Sequence, residues 1–188
     1  MIQLSDKFSD LTSLQRVRFT SGPLRGLPDN MEALRELRNF DISFNQVEAF
    51  PIDISKWTFL IDLNLQYNNI NISHSSLWRH ENVINLYLNS NLGLCMPLES
   101  DRIKLPMARY LHLGNNSCPL PHSVTSEQFS SIRFLHLNGN SLEGGKLPRG
   151  FDSLKGTATD FGLARCELND LKSVSFWKGF NLRYLNVR

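Results

Sequence analysis

Between Leu37 and Trp57, apolar side chains recur at Leu37, Phe40, Ile42, Val47, Phe50, Ile54 and Trp57. One amide, Asn45, stands inside that run. Around Phe40 and Ile42 the chain alternates with Asn39, Asp41 and Ser43, which predicts a short strand with one face inward. A buried amide needs hydrogen-bond partners, so the fold around Asn45 must supply them.

The pattern returns along the whole chain. Aligned on Asn45, it reads "LIDLNLQYNNI" around Asn68, "VINLYLNSNLG" around Asn91, "ARYLHLGNNSC" around Asn116 and "IRFLHLNGNSL" around Asn140. Weaker copies place Gly22 and Cys166 at the marked position. Successive marked residues are 23, 23, 23, 25, 24 and 26 apart, and "LRYLNVR" begins an eighth copy. A fixed period of this length predicts stacked coils, each a short strand, a turn and a return segment.

The motif L-x-x-L-x-L-x-x-N-x-L resembles the leucine-rich repeat family and covers essentially every residue. The return half resembles the family's L-P-x-x-Φ-x-x-Φ in "LPDNMEAL" (27–34), "FPIDISKW" (50–57) and "LPRGFDSL" (147–154), with looser versions at 96–97 and 120–121. The copy after Asn68, "SHSSLWRH", lacks the proline. The resemblance implies an α/β solenoid: a horseshoe of about 7–8 repeats of 23–26 residues, with a parallel β-ribbon on its concave face. At each bend the backbone cannot reach water, and an asparagine amide can serve it from both coils. Cys166 is a plausible substitute through its S–H. Gly22 is not, so the first coil is expected to be looser.

Residues 1–188 read as one leucine-rich repeat domain without terminal caps. "LSDKFSDL" (4–11) matches the return half, so the chain opens and closes in mid-coil. The expectation is a piece of a longer solenoid, covalently continuous with further repeats or other domains at both ends.

Bulk properties narrow the function. About 41% of residues are apolar, enough for one sizeable core. Twenty basic residues against eighteen acidic leave a net charge of +2 with no long basic block, so no nucleic-acid partner is expected. No stretch approaches the apolar length of a membrane span, and "IQLSDKFSD" after Met1 has no apolar h-region.

The outward strand positions fall into columns. The first is Arg16, Asn39, Asp62, Asn85, Tyr110, Phe134, Asp160, Tyr184. The second is Arg18, Asp41, Asn64, Tyr87, His112, His136, Gly162, Asn186. The third runs from Thr20 through Ser43, Gln66, Asn89, Gly114, Asn138 and Ala164 to Arg188, with Phe44, Tyr67, Ser90 and Asn115 at the edge. Tyr87, Tyr110, His112, Phe134 and His136 gather in the middle repeats. Exposed aromatic clusters are typical of protein-binding hot spots, whereas ordinary cross-strand ring packing is the competing explanation.

Other motifs carry less. "DFGLAR" (160–165) matches the opening of a kinase activation segment, but Phe161 and Leu163 fall on inward positions and no glycine-rich loop, strand lysine or H-R-D loop accompanies it. "LEGGKLP" (142–148) lacks the phosphate-loop spacing and marks a two-residue insertion; "NSLEGGKLP" loosely resembles a motif of plant receptor ectodomains. His112 and His136 share a column, but a metal needs a third ligand and none stands nearby. No serine is spaced against a histidine and an acid, so no catalytic site and no cofactor are expected. Cys95 and Cys118 lie four and two residues past their asparagines; a bridge is open to them, with two buried thiols the favoured expectation. "NIS" and "NNS" make Asn71 and Asn115 candidate N-glycosylation sites.

The resemblance implies a non-enzymatic module for recognising protein or peptide ligands. A receptor or other extracellular or cell-surface protein is favoured over a cytoplasmic one. The alternative is an intracellular scaffold or structural subunit, since the three 23-residue steps with L-P-x-x-I character also resemble the Ras-associated repeat class.

Overall fold

The structure is a computed structural model that describes residues 2–91, 93–169 and 174–187. Eight strands form one parallel sheet whose spatial order follows chain order: Arg16–Arg18, Asn39–Asp41, Asp62–Asn64, Asn85–Tyr87, Tyr110–His112, Phe134–His136, Asp160–Gly162 and Tyr184–Asn186. We number the coils 1 to 8 by these strands. Each pairs in unbroken register with the next, so Asn85 faces Tyr110, Tyr110 faces Phe134, and Tyr87 faces His112, which faces His136. The first two columns expected from the repeat are therefore the columns observed; the third lies past the paired strand residues, and its last member, Arg188, is outside the described residues.

The reason lies in the central residue of each strand. Phe40, Leu63, Leu86, Leu111, Leu135 and Phe161 are at most 1% exposed, while the strand residues beside them stay at least partly open, buried Gly162 excepted. A register slip would turn the whole apolar set outward. One buried cluster runs through the coils from Val17 to Cys166.

The return segments are mostly 3-10 turns, among them Met31–Ala33, Ile54–Lys56, Ser75–Trp78 and Phe151–Gly156. Apolar spacing dictates this. A 3-10 helix has three residues per turn, so side chains three apart fall on one line. Met31 with Leu34, Ile54 with Trp57, and Phe151 with Leu154 are such pairs, and all are at most 2% exposed. Trp57 donates its indole N–H to the Met31 carbonyl at 3.0 Å, tying coil 2 to coil 1.

The asparagine array closes the bends. Each amide Nδ2 donates to the carbonyl three residues back in its own coil and to the equivalent carbonyl of the preceding coil. Asn68 reaches Leu65 at 3.1 Å and Ile42 at 2.9 Å; Asn91 reaches Leu88 at 3.0 Å and Leu65 at 3.1 Å. Each Oδ1 takes a backbone N–H from the preceding coil, as Asn68 does from Val47 and Asn140 from Cys118. Cys166 reproduces the donor half, its Sγ 3.2 Å from the Leu137 carbonyl. Coil 1 differs from expectation. Gly22 supplies nothing, but the bend is served from coil 2, where Asn45 binds the Phe19 carbonyl at 2.6 Å and the Leu24 N–H at 3.2 Å.

Cys95 and Cys118 form a disulfide, with Cα atoms 5.3 Å apart. This corrects the expectation of two buried thiols. Coil 4 is two residues longer, and the extra length falls just after Asn91. Asn116 there accepts from the Asn91 N–H at 2.8 Å and donates to the Leu94 carbonyl at 3.2 Å, a pairing displaced from that of the other coils. Across this longer coil Cys95 stands level with Cys118.

Candidate functional site

The strand face carries the candidate site. Its shape comes from the ribbon, and its chemistry from the outward residues of each strand. At the amino end that chemistry is charged and, exposed Arg16 apart, already paired. Arg18 meets Asp41 at 3.3 Å, and both carboxylate oxygens of Asp62 accept from amides, one from Asn39 and one from Asn85.

The middle is aromatic. Tyr110 and Phe134 stack with centroids 4.1 Å apart and planes 7° from parallel, on neighbouring strands of the first column. Tyr110 remains 36% exposed and Phe134 is half-buried. Tyr87 stands one strand earlier in the second column and is half-buried too. Burial, with Asp62 and Tyr110 beside it, raises its phenol above the usual range.

His112 and His136 meet edge to face, centroids 5.3 Å apart, and Tyr184 leans on His136 from the last strand at 5.9 Å. Burial, and then the neighbouring His136, push the His112 imidazole down to about 4. His136 is also lowered by burial, against the pull of Asp160. Both shifts favour the neutral imidazole. The buried Nε2 of His136 has no hydrogen-bond partner among the described residues. No group of three potential metal ligands gathers among those residues.

All five residues singled out in the sequence come together on this face. Asn71 and Asn115 are both exposed; Asn115 borders a polar hollow with Asn138, Arg165 and Asn186. One feature is missed by sequence reasoning. Phe44 and Tyr67, each 48% exposed, stack at 4.5 Å and 9° along the edge. Both have positive φ, 57° and 53°, as does the residue before the marked position in every coil from Ser21 to Arg165. The signal was available in the repeat: two consecutive aromatics at one edge position. The kinase-like stretch is structural. Phe161 is fully buried against Phe151, Trp177 and Phe180, and Leu163 is 1% exposed.

No family model matches the chain. A curated relative, the "Probable inactive serine/threonine-protein kinase roco10" of Dictyostelium discoideum, is 24% identical over 141 residues. That is 72% of this chain but only 5% of that protein's length. Among solved structures, a leucine-rich repeat protein of Leptospira interrogans superposes with a TM-score of 0.78 at 24% identity, covering 99% of this chain and 46% of that one. A plant ice-binding protein gives 0.68 at 19% identity, with 99% and 60% covered. The leucine-rich repeat domain of the type III effector XopL gives 0.66 at 17%, with 98% and 72% covered. Strand order, register, asparagine array and these superpositions agree: the chain has the leucine-rich repeat fold.

Proposed function

We propose that this chain is the ligand-recognition part of a receptor or other cell-surface or secreted protein, and that it binds a protein or peptide through the middle of the strand face. The Tyr110–Phe134 stack carries the proposal. It offers a preformed apolar platform, partly open to water, on a backbone fixed by pairing on both sides. Rigid aromatic surface loses little side-chain and backbone freedom on association. Tyr87, His112 and His136 border the platform, and binding is assigned to these five residues without catalysis or cofactor.

The extracellular assignment draws on the Cys95–Cys118 disulfide, since such bonds persist in oxidising compartments, and on the exposure of Asn71 and Asn115.

Replacing Tyr110 and Phe134 with alanine should weaken an identified protein ligand by about 2–4 kcal/mol. Unchanged affinity would remove the platform from the interface. Glycopeptide mass spectrometry of the natural protein tests the compartment: a glycan on Asn71 or Asn115 is expected, and unmodified peptides at full coverage count against it. The alternative, an intracellular scaffold that binds along its rim, draws on the exposed Phe44–Tyr67 stack. It predicts that alanine at Phe44 and Tyr67, rather than at Tyr110 and Phe134, abolishes binding.

A further inference from the structure

Beside the aromatic platform lies a row of arginines. The residue before each strand bonds to its counterpart on the next coil. The Arg133 N–H reaches the Arg109 carbonyl at 3.0 Å, Thr159 reaches Arg133 at 2.9 Å, and Arg183 reaches Thr159 at 2.7 Å. Arg109 and Arg133 are therefore one strand spacing apart, about 4.8 Å, and Arg183 stands about two spacings further along. All three are exposed. Among the described residues none of them forms an ion pair; the five ion pairs present involve other groups.

The charge of this half of the face is one-sided. From coil 4 to coil 8, the strands and the residues flanking them carry four arginines (Arg109, Arg133, Arg165, Arg183) and one acid, Asp160. Asp160 is turned to local use, accepting from the Thr159 hydroxyl at 2.7 Å. The amino half, counted the same way, sets Arg16, Arg18 and Arg38 against two acids, Asp41 and Asp62; there Arg18 is paired to Asp41, Arg38 lies over the Phe59 ring, and Asp62 is held by two amides.

We propose that the carboxyl half of the strand face binds an acidic protein segment. Its Asp or Glu carboxylates would pair with Arg109, Arg133 and Arg183, while one apolar or aromatic side chain lies on the Tyr110–Phe134 stack. This rests on the reading of the chain as a protein-recognition module and names the partner's chemistry. A guanidinium matches a carboxylate bidentately, and unpaired arginines beside an aromatic anchor have the composition of an interface hot spot. A nucleic-acid strand fits less well. Its phosphates repeat without gaps, whereas this row is interrupted at Thr159, carries Asp160 beside it, and gives way to Asp62 and Asp41 further along the face.

The test is selection from a random-peptide display library on the wild-type chain, on R109Q/R133Q/R183Q and on Y110A/F134A. Circular dichroism checks each fold; because the three arginines are exposed, single R133Q and R133K variants provide a second route if the triple variant fails to fold. Peptides recovered on the wild type should be enriched in Asp and Glu around an apolar residue, and the glutamine variant should lose the acidic enrichment. In fluorescence anisotropy, one recovered peptide should bind about tenfold more weakly for each arginine removed, as for a lost charge-assisted hydrogen bond. R133K should fall between wild type and R133Q. The same peptide with its acids changed to amides should bind weakly to the wild type, and raising the salt should weaken only the acidic form. Recovery of neutral or basic peptides overturns the acidic assignment and leaves protein recognition standing. Recovery of no peptide at all overturns both. An oligothymidylate that displaces the acidic peptide and binds more tightly overturns the protein partner in favour of a nucleic acid.

Discussion

Asn68→Ala should destabilise the chain by about 3 kcal/mol, and the figure can be built bond by bond. Asn68 is 5% exposed. Its Nδ2 serves three carbonyls and its Oδ1 serves the Val47 N–H at 3.0 Å. All three carbonyls keep another donor: Ile42 retains Asn45 at 2.9 Å, Leu65 retains Asn91 at 3.1 Å, and Gln66 retains the Phe44 N–H at 3.0 Å. The Val47 N–H keeps none, and an orphaned buried donor costs about 1–3 kcal/mol. Weakened sharing at Ile42 and Leu65, with the small void left behind, adds about 1 kcal/mol. For a chain of this size the sum corresponds to a fall in Tm of about 6–12 °C. Urea unfolding followed by tryptophan fluorescence is suited to the measurement, since buried Trp57 lies in the coil between Asn45 and Asn68. Asn64→Ala is the control. Its side chain is half-buried on the strand face, accepts the Gln66 N–H at 3.2 Å, and can be replaced by water, so the change should stay within about 0.5 kcal/mol. Asn68→Asp makes the reasoning sharper. It keeps the acceptor for Val47 but turns a carboxylate toward carbonyl oxygens, and should cost more than alanine. If Asn68→Ala shifts the midpoint no further than Asn64→Ala, the array does not close the bends.

Other perturbations follow from the same structure. Breaking Cys95–Cys118 by Cys118→Ser should cost about 3 kcal/mol, from releasing a loop with a sequence separation of 23; a urea midpoint indifferent to reductant would contradict this. Gly150→Ala should destabilise by several kcal/mol, because φ is +82° and a Cβ would sit 2.0 Å from the Val124 carbonyl; calorimetry on the variant checks it. Acid should also destabilise. His112 is held near 4, and burial lowers His80, whose Nδ1 accepts from the Asn82 and Val83 N–H groups. The folded state then binds fewer protons than the unfolded one, so the contribution is complete above pH 6.5 and is lost as pH falls toward 4. His112 alone supplies at most about 3 kcal/mol. His112→Asn should flatten that part of the profile, and identical slopes for variant and wild type would count against the assignment.

The strand register was legible to the residue because a strand's side chains alternate and the marked asparagines fix the phase. Asn45 announced the bend in the same way: an amide at an apolar spacing has few other uses. The return segments were harder. Apolar side chains three apart fit either a 3-10 turn or the start of an α-helix, and the width available per coil decides between them. Offsets of four and two residues left both a Cys95–Cys118 bridge and two buried thiols open in the sequence, and only the path of the longer coil 4 decides for the bridge. Phe44 and Tyr67 were seen but placed outside the columns, since the positive φ that turns them outward is a property of the bend rather than of the alternation.

The asparagine array points one way. Each amide completes the bend of the coil before it: Asn45 for coil 1, Asn68 for coil 2, and so on to Asn140 for coil 5. A coil emerging from the ribosome therefore cannot be sealed until the next asparagine has been made. With steps of 23 to 26 residues, closure trails synthesis by about 1–5 s at each repeat. During that interval the newest coil carries unpaired donors and an uncovered apolar edge, so the growing end is where a chaperone or a misdirected neighbour would act. The finished solenoid keeps that polarity: removing coils from the carboxyl side takes away the amide that closes the bend of the coil left behind, whereas removal from the amino side leaves that amide in place.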